Sequence, residues 1–202
     1  MKKVILASLA ICFVSMPAYA QESRDLGGFK VGVVAGYDST RLSLDGESGS
    51  KDGLLYGLSA GYDFDLGSAV VGVETEYSDS TVKETVSDVL SAGDEASIAA
   101  SRDLYVGARL GFAVSPTVLL FAKAGYTNAR VTARYSDGSD SFKDSDTLDG
   151  YRLGAGAELV KGPTFARLEY RYSDYGDYKY DGVNTGISVA RHQVALTGGY
   201  RF

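Results

Sequence analysis

The stretch LLYGLSAGYDF at residues 54–64 alternates between two kinds of side chain. One set consists of leucine, alanine, tyrosine and phenylalanine, and the other consists of two glycines, a leucine, a serine and Asp63. Successive side chains of a β-strand point to opposite faces, so this period of two predicts a strand. The two faces of that strand must meet different surroundings.

The same alternation recurs in seven further runs, which are bounded by turn-forming glycine, aspartate and serine residues. The eight runs are residues 29–38, 54–64, 70–77, 103–112, 118–127, 151–159, 166–172 and 193–202. Each approaches the roughly ten residues that a tilted membrane-spanning strand needs. In the fifth run the apolar phase changes near Asn128, which predicts either a bulge or a strand that continues beyond a bilayer.

The connections between the runs alternate between long and short. The short ones are residues 65–68, 115–117 and 161–163, and the long ones are 39–52, 78–102, 136–149 and 173–190. Transmembrane barrels have short periplasmic turns and longer extracellular loops. We therefore predict an all-β fold, an eight-stranded antiparallel up-and-down transmembrane β-barrel with both termini in the periplasm.

The polar face of the runs carries charges of both signs among many glycines. If the apolar face meets lipid, these charges pair inside a narrow lumen, where the glycines leave room for long side chains. The alternative, a soluble lipocalin-like barrel, would have to cover its exterior with glycines and charges. The predicted lumen ion-pair network comprises Lys30, Asp63, Glu74, Glu76, Asp103, Arg109, Lys123, Arg152, Glu158, Arg167, Glu169, Arg171 and Arg201.

Aromatic residues near the ends of the runs predict two girdles at the membrane surfaces. One rim has Phe29, Phe64, Phe112 and Phe202, and the other has Tyr37, Tyr56, Tyr77, Tyr126 and Tyr172. The alternative explanation is the general preference of strands for aromatic residues.

The first twenty residues have the pattern of a secretory signal peptide. Two lysines precede a mostly apolar run at residues 4–16, and an A-x-A motif formed by Ala18 and Ala20 follows. The apolar run is shorter than the roughly 20 residues of a spanning helix. We expect cleavage after Ala20, which leaves one outer-membrane barrel domain at residues 21–202.

Cys12, the only cysteine, lies in this predicted signal. A lipoprotein signal is the alternative, but Ile11 before the cysteine is not small. The mature chain would then lack disulfides and thiolate metal sites. Removing the two signal lysines from 20 Lys and Arg leaves 18 against 26 Asp and Glu, a net charge of −8. An acidic chain of this kind disfavours nucleic-acid partners.

The last run, VALTGGYRF at residues 194–202, ends on a phenylalanine, and the segments LEYRY (168–172) and FAKAGY (121–126) accompany it. These segments resemble the small outer-membrane β-barrel family typified by the OmpA transmembrane domain and the opacity-type porin family proteins. The resemblance covers essentially the whole mature chain. It implies a Gram-negative, porin-like envelope protein. Unlike full-length OmpA, this chain is expected to lack a periplasmic peptidoglycan-binding domain. It also implies an assembly signal at Leu196, Tyr200 and Phe202 for the outer-membrane insertion machinery.

Candidate chemistry is sparse. Among eight-stranded barrels that act on lipid A, a deacylase family uses a membrane-facing histidine with a serine two residues later. Here His192, the only histidine, is followed at that spacing by Val194. The acidic segment at residues 137–149 lacks the spacing of an EF-hand calcium loop. We expect no catalytic residue, metal or cofactor.

The combined pattern predicts a non-enzymatic integral outer-membrane protein that contributes to envelope integrity, to surface interaction through acidic extracellular loops, or to both. Its predicted partners are outer-membrane lipid, lipopolysaccharide and a surface partner of unknown identity. Two alternatives remain open. One is a narrow ion or solute channel through the charged lumen, and the other is a lipid A-modifying membrane enzyme.

Overall fold

The computed structural model describes residues 26–44, 47–87, 94–136, 141–180 and 183–202. The predicted cleavage residues Ala18 and Ala20 lie outside these ranges. The strands are β1 (Gly28–Leu44), β2 (Glu47–Asp65), β3 (Ala69–Ser80), β4 (Lys83–Ser87), β5 (Glu95–Ser115), β6 (Val118–Ser136), β7 (Ser141–Lys161), β8 (Thr164–Tyr180) and β9 (Val183–Arg201).

The strands close into one barrel because β3 pairs with β5 as well as with β2. The short β4 takes over from β3 further along β5, where Lys83 is the register partner of Ala99. Nine segments therefore form eight antiparallel positions around the barrel. This arrangement confirms the predicted eight-stranded up-and-down barrel.

The strands are longer than predicted, and most of each predicted long connection is paired strand. The β1–β2 register runs on from Ser39↔Asp52 to Leu44↔Glu47, and the β6–β7 register reaches Ser136↔Ser141. Polar residues occur on both faces of these extensions, so the alternation that marks a half-apolar strand is missing. The prediction of long loops was therefore wrong for these segments.

The phase change near Asn128 has a different origin from the predicted bulge in β6. The β6–β7 register is continuous, and the irregularity lies in β5, where residues 101 and 102 together oppose Arg130. From Ala129 outward, the side chains of β6 that point into the barrel are apolar rather than polar. The strand therefore continues past Asn128 without a bulge, as the second alternative required. The resulting apolar cluster comprises Ala129, Leu148, Tyr175 and Val189, with Val131 against it.

The exterior of the barrel is apolar. Leu58, near the middle of β2, is 61% exposed, and most of the large apolar residues of the alternating runs face outward in the same way. The predicted girdle residues also lie on this surface, although Tyr172 is half-buried. Within the ranges that the structure describes, no helix has the length and apolar character needed to cross a membrane.

The periplasmic end is closed by tight turns and a small apolar cluster. Gly67 adopts a φ of +90°, a conformation that glycine tolerates best, and its N–H donates to the Asp65 carboxylate at 2.6 Å. The same carboxylate accepts a 2.6 Å hydrogen bond from the backbone N–H of Leu26. Leu26 is thereby held across the mouth, where it is buried with Val70 and Leu119.

Candidate functional site

The interior of the barrel contains nearly all of the charges assigned to it from the sequence. Twelve of the thirteen are at most 5% exposed: Lys30, Asp63, Glu74, Glu76, Asp103, Arg109, Lys123, Arg152, Glu158, Arg167, Glu169 and Arg171. Arg201 differs, because it is half-buried near the periplasmic end and belongs to none of the ion pairs among the described residues.

The lower half of the interior is organised around Glu158 of β7. Its carboxylate lies 3.1 Å from the Lys30 ammonium and 3.0 Å from the guanidinium groups of both Arg109 and Arg167. Lys30 also pairs with Asp63. These contacts join strands on opposite sides of the barrel, so the side chains fill its cross-section.

The middle of the interior repeats this arrangement with Lys123 of β6. Its ammonium lies 2.8 Å from both the Glu74 and the Glu169 carboxylates. Arg167 pairs with Glu74 from below, and Arg171 contacts Glu169 at 3.1 Å from above. The charges of adjacent levels are thus connected into one network.

The upper half of the interior is organised around Asp103 of β5. The carboxylate accepts hydrogen bonds from Arg152 at 2.6 Å and from Arg191 at 2.9 Å. The hydroxyl groups of Thr127 and Tyr175 add bonds of 2.7 and 3.1 Å. Four donors from four strands therefore converge on one carboxylate.

Sequence reasoning missed three members of this upper level. Arg191 pairs with Asp38, and Gln193 donates to the same carboxylate at 3.0 Å. Asp38 was visible on the polar face of the first run but was not assigned a role. Arg191 was missed because it precedes the predicted start of the last strand. A search for inward-facing charges beyond the apolar runs would have found it.

With these additions the buried ionic groups of the described interior balance. Asp94, just before β5, is also buried and accepts a hydrogen bond from Tyr135. Apart from it, seven cations face seven carboxylates: Lys30, Arg109, Lys123, Arg152, Arg167, Arg171 and Arg191 against Asp38, Asp63, Glu74, Glu76, Asp103, Glu158 and Glu169. Buried charges are costly unless they are paired and hydrogen-bonded. Equal numbers within one connected network meet that requirement.

Aromatic rings and glycines complete the packing of the interior. The Arg109 and Arg167 guanidinium carbons lie 4.8 and 5.0 Å from the Phe121 ring centroid. A Cβ atom on Gly107 would come within 2.2 Å of the Tyr105 hydroxyl, so this glycine leaves the space that the ring occupies. The cavity beside Lys30 has a volume of about 10 Å³, room for about one water molecule.

The remaining predicted residues lie on the outer surface. His192 is half-buried, and its Nδ1 shares a 2.6 Å hydrogen bond with the Tyr170 hydroxyl. Leu196 and Tyr200 face outward on β9, and Phe202 faces outward just after it. The Phe202 ring centroid lies 6.1 Å from that of Phe29. In the part of the chain that the structure describes, no cluster of acidic, histidine or cysteine residues could hold a metal ion.

An apolar exterior around a neutralised ionic interior defines an integral outer-membrane β-barrel protein. The family model of the outer membrane protein beta-barrel domain matches residues 6–202, and the chain belongs to that family. This membership confirms the resemblance noted from the sequence and places the protein in the outer membrane.

Curated relatives agree with this assignment. The 31 kDa outer-membrane immunogenic protein of Brucella melitensis biotype 1 is 29% identical over the whole of both chains. The 22 kDa outer membrane protein of Rhizobium leguminosarum bv. viciae is 31% identical over 87% of this chain and 77% of its own.

Two solved structures share the fold. Neisserial surface protein A has a TM-score of 0.54 at 17% identity and covers 87% of this chain and 97% of its own. Ail of Yersinia pestis, solved with the heparin analogue sucrose octasulfate, has a TM-score of 0.50 at 18% identity. It covers 87% of this chain and 99% of its own. At these identities the similarity shows the fold alone.

Proposed function

We propose that this outer-membrane barrel is a non-enzymatic envelope protein with a closed lumen, and that it acts through its outer surface. The observation that carries the proposal is the filled interior, in which seven cations and seven carboxylates span the barrel from wall to wall. An eight-stranded barrel has an interior just wide enough for side chains. A network of this kind supports a structural role for the interior.

The excess negative charge of this protein lies in its outer segments. We define these segments as residues 39–52, 79–102, 128–149 and 174–190. They contain 16 Asp and Glu against 8 Lys and Arg. The ionic groups of the interior balance, and the rest of the mature chain adds three Asp and Glu against three Lys and Arg. This excess therefore equals the net charge of −8 expected for the mature chain. The function we propose, envelope integrity or surface contact, therefore resides in these segments.

A deletion strain tests this function. We expect loss of the protein to increase detergent sensitivity or to reduce adhesion to surfaces, and we expect the wild-type gene to restore both. A complementing variant that lacks residues 132–145 keeps the barrel interior but loses one outer hairpin. It therefore separates the contribution of the barrel from that of the outer segments. A deletion strain with an unchanged permeability barrier and unchanged adhesion contradicts the proposal.

The alternative of a narrow channel is tested by planar-bilayer recording of the purified barrel. We expect no conductance steps above background, because Lys123 and Arg167 bridge carboxylates across the lumen. A general porin in the same bilayer is the positive control. Regular steps from folded, heat-modifiable protein would favour the channel.

The enzyme alternative depends on His192, which is followed two residues later by Val194 rather than by a serine. The hydrogen bond between His192 and Tyr170 supports a role for this histidine at the membrane surface. Mass spectrometry of lipid A from the deletion and wild-type strains distinguishes a lipid A-modifying enzyme from a non-enzymatic barrel. Identical lipid A is the result expected of a non-enzymatic barrel.

A further inference from the structure

Three arginines lie together in the otherwise acidic outer segments. Arg130 and Arg134 of β6 follow the lipid-facing Tyr126 by four and eight residues, and Arg102 lies on the neighbouring β5. The even spacing puts both β6 arginines on the same face as Tyr126. They lie roughly 13 and 26 Å beyond it along the tilted strand. The group thus faces sideways and extends outward from the outer tyrosine girdle.

These cations oppose one another in the strand register. The β5 bulge places Arg102 beside Arg130, since pairing passes from Ala100↔Val131 directly to Asp103↔Ala129. Like charges directly opposite each other destabilise a sheet. An arrangement of this kind is favourable when an anion lies against it.

The positive charge of this group is not neutralised by the surrounding described residues. Arg102 donates to the Asn128 amide oxygen at 3.2 Å, but its enclosed Nε has no hydrogen-bond partner. Arg130 and Arg134 are exposed and take part in no ion pair among the described residues. The Asp149 carboxylate accepts hydrogen bonds from Asn128 and Tyr126 instead.

We propose that Arg102, Arg130 and Arg134, the basic patch, bind phosphate groups of the lipopolysaccharide that surrounds the barrel. Guanidinium groups bind phosphate oxygens through paired hydrogen bonds, and basic residues beside a membrane recruit anionic headgroups. The patch faces the neighbouring outer-leaflet lipid laterally. A soluble polyanion would instead approach through the net charge of −8 on the outer segments, which repels it. The inference is independent of the closed lumen.

Titration of lipopolysaccharide onto the barrel purified from outer membranes tests the patch. The variant R102Q/R130Q/R134Q removes the three guanidinium groups, and R41Q/K83Q/K161Q is the matched control, with the same charge change elsewhere on the barrel. Heat-modifiability on a detergent gel verifies that each variant is folded. Dephosphorylated lipopolysaccharide and soluble heparin serve as the second and third probes.

We expect the patch variant to bind intact lipopolysaccharide about tenfold more weakly than wild type or worse. The control variant should bind like wild type, and dephosphorylation should remove the difference among all three proteins. Equal binding by the patch variant and wild type overturns the proposal. Equal losses in both variants also overturn it, since they indicate a general charge effect. Heparin that displaces lipopolysaccharide at substoichiometric concentration reassigns the patch to a soluble polyanion.

Discussion

At the scale of single residues, position in the barrel decides what a charge does. Asp103 and Asp149 are carboxylates at similar heights on nearby strands, yet one is 1% exposed among four donors and the other is exposed on the outer face. The buried Asp103 carboxylate neutralises the charges of two guanidinium groups that are shielded from water, whereas the exposed Asp149 carboxylate remains hydrated. Side-chain chemistry alone would not distinguish them.

The substitution Asp103→Asn tests this difference. It keeps the shape of the side chain but leaves Arg152 and Arg191 without their shared carboxylate. We expect the free energy of unfolding to fall by about 3–5 kcal/mol, as for other broken buried ion pairs. Urea titration of the barrel in lipid vesicles measures the change. Asp149→Asn is the matched control, with little expected effect, and equal losses in both variants would contradict the account of the interior.

The sequence could predict the charged interior only where the strand alternation was visible. Lys123 and Arg167 lie within alternating runs, so their inward position followed from the period of two. Arg191 lies where neighbouring residues are polar on both faces, so its strand could not be separated from a loop. Phe121 shares the inward face of Lys123, so the same period predicted its position. The inward position of Phe165 was not predicted, because this residue precedes the seventh run. The contacts of both rings with cations carry no periodic signal.

At the scale of strands and hairpins, the extensions continue the barrel walls outward through backbone pairing. The β7–β8 register begins at Tyr151↔Asp174, so residues 141–150 have partners only on β6. In this part of β7, the carboxylates of Asp144 and Asp146 accept 2.8 Å hydrogen bonds from the next residue's backbone N–H. Those donors are thereby engaged and unavailable for pairing with another strand.

The β6–β7 extension is expected to be dispensable for the barrel itself. Replacing residues 132–145 with Asn-Gly joins the register partners Val131 and Asp146 through a two-residue turn. The ionic interior lies below this level, so the variant should remain folded. Its migration on a detergent gel should still shift on heating, as for the wild-type barrel. Loss of the heat-modifiable form would show that the extension is required for barrel folding.

At the scale of the whole molecule, the protein divides its side chains among three surroundings. Lipid meets leucine, valine and aromatic rings, the lumen holds a balanced ionic network, and the outer segments carry the net charge. The fold class was predictable because lipid-facing and lumen-facing side chains alternate with a strict period of two over eight runs. The outer extent of the strands was not, because both strand faces meet water there.

The central claim is that the aliphatic face contacts acyl chains. The chain contains no tryptophan, so a single Leu58→Trp substitution provides a unique fluorescent reporter at a side chain that is 61% exposed. Phe142→Trp, in the outer part of β7 and 68% exposed, is the matched control. In vesicles with brominated acyl chains, the account predicts strong quenching of the first variant and little quenching of the second. An unquenched Leu58→Trp protein that is folded in buffer without detergent would contradict it.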